Sequence, residues 1–434
     1  MALNSVNNSH LHDVVFADRH YINKLAKLKD LINYLDKAPR LPNQNFFMLI
    51  RPRGFGLSLT NEAIESLLVR DEMLLDHLQN KLDNSLDLSD LGSYEVIHLS
   101  FSNPKANTLS SFMLILQETI QRQCWEHHVK NKGALALVSD LRQQMLFLIR
   151  AISDNSKKQV VVLVDNYDVP IYSVRNITNP EERQQALALY FDMLSAFRQA
   201  GDRVKFCLLA GHVKFALSNN MSEGLPHIVD LSFSNIAATV MGFTIEEIKQ
   251  SYEKDLARIA PQLGVTTSEY LDALQHCYGG FIFSDAKQEV LCPYSISRVL
   301  DNEGELYAYA CDNHYTFLRQ SLDEEEPDLN WLLNKDGQDQ LFLEEVDLFP
   351  KGKQFGSLLL QQGFVSVKKI TYPKADDHIM SWRYCYGLTN VEMQRAFKIL
   401  MKQARPELRE LAINPRIYHA GEEQYAIVSD KDHA

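Results

Sequence analysis

The stretch RPRGFGLSLT, Arg51 to Thr60, holds glycine, hydroxyl and cationic residues at the spacing of a phosphate-binding loop, without the residue on which such a loop depends. In G-x-x-x-x-G-K-[ST], backbone N–H groups cradle phosphates, the lysine neutralises the outer ones and the hydroxyl holds Mg²⁺. Gly56 and Ser58 keep the second glycine and the hydroxyl, Leu57 stands at the lysine position and Arg51 at the first glycine. Arg53, Gly54 and Leu59 complete the set of candidate nucleotide contacts. Arg51 and Arg53 are the cations available to replace the lysine.

Two further segments supply chemistry. QVVVLVDNYD, Gln159 to Asp168, is a β-branched run ending in acids. In P-loop proteins a strand of this kind carries an aspartate to the Mg²⁺ shell. Asp165 and Ser58 are therefore the candidate metal ligands, with Asn166 and Asp168 as neighbours on the nucleotide side. VKFCLLAGHVKF, Val204 to Phe215, ends in a loop with Lys214, a candidate phosphate contact. Each residue also has an ordinary reading. Leu57 can fill a core, Asp165 and Asp168 can cap a turn after a strand, and Lys214 can pair with an acid.

These residues need a sheet edge to hold them. NFFMLI (Asn45 to Ile50) reads as a buried strand running into the loop, and LTNEAIESLLVR (Leu59 to Arg70) as the helix after it. YEVIHLSFS (Tyr94 to Ser102) is a second strand, Leu109 to Cys124 a crossover helix, and Gln184 to Ala200 another. Alternation of this kind predicts a parallel α/β sheet with its strand ends along one edge, where ligands of open α/β folds bind. IEEIKQSYEKDLARIA (Ile245 to Ala260) and TSEYLDALQHCYGG (Thr267 to Gly280) read as amphipathic helices, the second stopped by its glycines. DEEEPD, Asp323 to Asp328, is an acidic break. Beyond it, Phe355 to Pro373, Met380 to Asn390 and Glu392 to Gln403 predict a helix, two strands and a closing helix.

Composition narrows the function. The chain has 434 residues and a formal charge of −12, which predicts two or three domains and disfavours nucleic-acid binding through bulk charge. The six cysteines form no C-x-x-C pair and the fourteen histidines no H-E-x-x-H, so neither a disulfide framework nor a zinc site is expected. No apolar run has the length of a membrane span and MALNSVNNSHLHDVV lacks a signal-peptide pattern. The expected location is the cytoplasm, or delivery as an effector by a route that needs no signal peptide.

Taken in order, YINK at Tyr21, RPRGFGLSL at Arg51, YEVIHLSFS at Tyr94, VVVLVDNYDVPI at Val160, LLAGHVKF at Leu208, YGGFIFS at Tyr278 and LLLQQGFVSV at Leu358 resemble the bacterial AAA-ATPase-like family. The resemblance implies a P-loop NTPase-like domain over 1–235, a helical lid over 236–320 and a winged-helix-like domain over 321–434. It also implies a nuclease domain in many relatives, whose D…(D/E)-x-K core is not found in this sequence.

The departures all remove charge from the nucleotide edge. Leu57 stands for the lysine, Asn166 for the glutamate that polarises water, and Ser100 and Asn23 for aspartates. Asparagine can orient a water but cannot accept its proton at neutral pH. The sequence thus predicts an ATPase fold without hydrolysis, with no catalytic residue assigned, acting as a protein-binding or scaffold module. The alternatives are a switch that binds or slowly hydrolyses ATP through Arg51 or Arg53, with ATP/ADP and Mg²⁺ as cofactors, and a DNA-binding regulator using Lys368, Lys369 and Arg383.

Overall fold

Apolar, β-branched runs bounded by turn residues form the centre of the molecule, as a parallel sheet covered on both faces requires. A computed structural model describes residues 11–16, 20–37, 45–80, 87–102, 106–130, 140–216, 228–313, 315–325, 327, 329, 332, 338–339, 344–371 and 383–404. In it β1 (Phe46–Ile50), β2 (Glu95–Ser100), β3 (Val160–Asp165), β4 (Val204–Gly211) and β5 (Val229–Asp230) lie in the order β2-β3-β4-β1-β5, each pair parallel. Every residue of β1 and β3 is buried.

Helices Leu57–Val69, Leu109–Glu126, Leu141–Ser156 and Pro180–Gln199 make the crossovers that parallel pairing demands. Register then aligns the strand ends. Ile50 lies opposite Gly211, Asp165 opposite Ala210 and Ser100 opposite Asp165, so the predicted edge is present as one row.

Local chemistry explains the element boundaries. Thr108 and Ser111 form a capping box at the start of Leu109–Glu126, and Asn179 followed by Pro180 starts helix Pro180–Gln199. The stretch expected as one helix from Ile245 to Ala260 is two, Ile245–Ser251 and Glu253–Gln262. Tyr252, at φ −116° and ψ 25°, separates them. Its ring is buried in a second core with Ile248, Leu256, Tyr270 and Leu274, so tertiary packing overrides a continuous amphipathic pattern. Thr267–Tyr278 stops at Gly279 as expected. After it come the antiparallel β6 (Phe281–Ile282) and β7 (Glu289–Val290), then helix Pro293–Asp301.

The C-terminal part holds β8 (Gln338–Asp339), helix Gln354–Gln361, the antiparallel pair β9 (Val365–Thr371) and β10 (Arg383–Leu388), and helix Val391–Ala404. The sequence reading had no place for β8, which pairs with β10 over two residues. Asp323 and Glu324 belong to helix Thr316–Glu324 and not to the acidic break, whose Glu326 and Asp328 lie outside the described residues. Phe355, Leu358, Phe364 and Phe397 join the same core as the sheet. The buried Glu392 carboxylate accepts from Ser295 Oγ at 2.8 and 2.9 Å and from Ala310 N at 2.9 Å, tying the closing helix to the segment before it. Lys368 folds its ammonium onto Thr389 O at 2.7 Å, and Arg383 begins β10 with its side chain outside the described residues.

All six cysteines are thiols, and five are buried. Among the described residues no helix is long and apolar enough to cross a membrane.

His98 joins the edge strand β2 to helix Leu57–Val69 through its Nδ1, 2.7 Å from Glu65 Oε2. Burial alone would push the imidazole down, but the hydrogen bond and charge of Glu65, with Asp165 and Glu62 beyond, raise it above its usual 6.5. A raised folded-state value stabilises below the unfolded one and is lost as pH rises through the folded one. We therefore expect stability to fall as pH rises above 6.5, and denaturant unfolding of His98→Asn to lack this loss.

Candidate functional site

The loop after β1 turns its large side chains inward. Arg51 is 0 % exposed. Its guanidinium donates to the carbonyls of Ile50 (2.8 Å), Ser232 (2.9 Å) and Ala237 (2.6 Å) and lies 4.1 Å from the centre of the Phe283 ring. Phe55 packs edge-on against Phe281 and Phe283 at 4.9 and 5.4 Å. Leu57 is 4 % exposed and belongs to the main core. Burial lowers the Arg51 pKa to about 9, with Asp230 opposing the fall.

The backbone of a cradle survives around these anchors. Gly54 has φ +85°, and a Cβ there would lie 3.0 Å from Cys292 Sγ and 3.1 Å from Tyr294 Cβ. Its carbonyl accepts from Tyr294 N at 3.1 Å, which pins the loop to helix Pro293–Asp301. Gly56, at φ +74°, starts helix Leu57–Val69 with no side-chain cap and with open space where a Cβ would be. The first N–H groups of a helix have no partner within it. Ser58 beside them is exposed and Leu59 half-buried.

Asp165 closes β3 at 1 % exposure, and its surroundings are neutral. Asn61 Nδ2 donates to Oδ1 at 3.0 Å, while Asn166 Nδ2 at 3.3 Å and Ser100 Oγ at 3.5 Å approach Oδ2. Asn166 takes φ 55°, a left-handed conformation that asparagine tolerates better than most residues. Two of the charge-removing departures, Ser100 and Asn166, thus meet on one carboxylate. Asn23 is also a structural donor and acceptor: it reaches Leu78 O at 3.0 Å and accepts from Leu25 N at 2.9 Å.

Asp168 is fully buried beside this group. Its Oδ2 accepts from His212 N (3.2 Å) and Val213 N (3.1 Å), while its Oδ1 has no hydrogen-bond partner among the described residues. Burial raises its pKa to about 6, against the pull of Arg53 and of its backbone donors. Arg53 also hydrogen-bonds the Tyr172 hydroxyl, so it stands near this carboxylate and outside the core, unlike Arg51. His212 is held neutral, its pKa lowered to about 3 by burial and by Arg53. Its Nδ1 lies 2.8 Å from Arg51 O and must donate there, because a carbonyl only accepts. Lys214 sits apart, with its ammonium 2.9 Å from Asp230 Oδ2.

The structure therefore gathers Asp165 with Asn166, and Arg53 with Asp168, but commits Arg51, Leu57 and Lys214 elsewhere. Sequence reasoning missed Asn61, His212, Cys292 and Tyr294. His212 lay in a segment that had been read for Lys214, and the other three carried no motif. Among the described residues no three His, Cys, Asp or Glu side chains converge as a metal-binding group. The residues present fit the backbone half of a Mg²⁺-nucleotide site and not its charged half.

Residues 22–220 match a family model described as Predicted AAA-ATPase. Over that span the chain is similar to the AAA-ATPase-like family. The matched AAA-ATPase-like segment contains β1 to β4 and every residue of the loop and the Asp165 cluster. The chain is also 27% identical over 244 residues to the "Uncharacterized protein in vnfD 5'region" of Azotobacter chroococcum mcd 1. That similarity covers 54% of this chain and 44% of the relative, so the chain spans less than half of the relative's length.

The raised Asp168 pKa has a signed consequence. Between about pH 4 and the folded-state value of about 6, the native protein keeps a proton that the unfolded chain has released, so stability falls as pH rises. The deficit persists above that window. Asp168→Asn is expected to remove this slope and to raise stability at pH 7.5 by about 2 kcal/mol, read from urea unfolding at a series of pH values.

Proposed function

We propose that this AAA-ATPase-like chain does not hydrolyse ATP and works as a protein-binding or scaffold module. The observation that carries the reading is the set of neutral groups around Asp165. Carboxylates at positions 100 and 166, which the family resemblance implies, would stand within hydrogen-bond distance of a third carboxylate. Like charges that close disfavour ionisation unless a cation offsets them. Here serine and asparagine donate to Asp165 instead, and the lysine position holds a buried leucine. Loss of the acids and loss of the cation balance each other.

Phosphoryl transfer depends almost wholly on positioning and on electrostatic stabilisation of the transferring group. Arg51 is committed to three carbonyls and Lys214 to Asp230, so neither is placed to supply it. A protein-binding role is supported by exposed apolar side chains. Leu114 and Trp125, 54% and 66% exposed, stand eleven residues apart on helix Leu109–Glu126 and so share one face. Aromatic side chains of this kind are frequent anchors of protein interfaces.

A second reading rests on Arg53. It stays outside the core beside Asp168, near an uncapped helix start, and would serve a nucleotide-binding switch in place of the missing lysine. Thermal unfolding titrated with ATP and ADP, with and without Mg²⁺, separates the two. A ligand at a hundredfold excess over its Kd stabilises the native state by about 2.7 kcal/mol. The scaffold reading expects no saturable rise in Tm at millimolar nucleotide. A Mg²⁺-dependent rise, lost in Asp165→Ala and Arg53→Ala, would overturn it in favour of the switch.

A further inference from the structure

On the inner side of the loop, where β6, β9 and β10 meet it, lies a pocket of about 180 Å³. Its walls include Pro52, Phe233, Phe283, Val367, Tyr384 and Tyr386. Protein interiors rarely keep voids larger than a water molecule. This one is lined mainly by rings and aliphatic carbons from segments far apart in sequence.

Two of the polar side chains at its border are already engaged. Gln361 accepts from Lys214 N at 2.7 Å and donates to Glu344 O at 2.7 Å, and Ser366 Oγ accepts from Ile282 N at 3.1 Å. Ordered water needs two to four polar partners, so these walls favour an apolar occupant. An apolar cavity of about 150 Å³ holds benzene, which sets the scale for a pocket of this volume. Phe233 and Tyr384 meet edge to face at 5.2 Å and 82°, an arrangement in which a further ring finds both an edge and a face to pack on.

We infer that this pocket binds a small, uncharged molecule built on a single aromatic ring. The bound ring would rest on Pro52 and on Phe283, whose ring also stacks on the Arg51 guanidinium. Its occupant would therefore touch the loop from the inside. The site is separate from the Asp165 cluster and does not depend on how that cluster is used.

The test uses the full chain with fluorobenzene as probe, followed by ¹⁹F NMR line broadening and by thermal unfolding. The expected result is saturable broadening with a parallel rise in Tm. Filling the pocket by Val367→Phe or, separately, by Ile282→Phe should weaken binding about tenfold or more, while the exposed Met73→Phe should leave it unchanged. Should one filled variant fail to fold, the other carries the comparison. Absence of saturable broadening, or binding that survives in a folded filled variant, would overturn the inference. Absence is also the result expected if the pocket is kept for a side chain of a partner protein.

Discussion

The buried Arg51 guanidinium is the interaction on which the arrangement of the loop depends. A charge at 0 % exposure needs compensation, and here three carbonyls accept from its two terminal nitrogens and the face of Phe283 meets it, while Nε has no hydrogen-bond partner among the described residues. The carbonyls come from the end of β1 and from the segment after β5, while Phe283 follows β6. One side chain thus joins the sheet to the structure packed beside it. The neighbouring residues follow from that joint. Phe55 fills the space against Phe281 and Phe283, and Gly54 lets helix Pro293–Asp301 approach the loop backbone.

Charge at the strand ends is met by groups of the chain itself. Asp165 receives neutral donors from three directions, and Asp168, whose pKa burial raises to about 6, accepts from two backbone N–H groups that oppose the rise. His212, kept neutral, holds the Arg51 carbonyl and bridges the loops after β1 and β4. A Mg²⁺-nucleotide complex needs the opposite arrangement, with acids and a lysine facing outward around a cation. The sheet edge of the segment similar to the AAA-ATPase-like family carries a different polarity here.

Much of the framework was legible in the sequence because its causes are local. Period, β-branched runs and glycine stops gave β1 to β4, three of the four crossover helices and the end of the helix at Tyr278, but not helix Leu141–Ser156. The spacing of RPRGFGLSL located the loop but not the direction its side chains take. Arg51 reads as a phosphate contact from spacing alone, because Ser232, Ala237 and Phe283 are more than 180 residues away. The break at Tyr252 and the short β8 arise in the same way, from tertiary packing and pairing that no window reveals. Lys214 was legible as a salt-bridge partner, although Asp230 was not named.

The central claim is that the loop is an interior joint, and Arg51→Ala tested by differential scanning calorimetry without nucleotide addresses it most directly. Removing the guanidinium strands buried carbonyls and leaves a cavity beneath Phe283. The account predicts a loss of at least about 3 kcal/mol and a broadened or divided transition in place of the wild-type profile. A variant that unfolds at the wild-type temperature with an unchanged profile would contradict it and return Arg51 to the outer face of the loop.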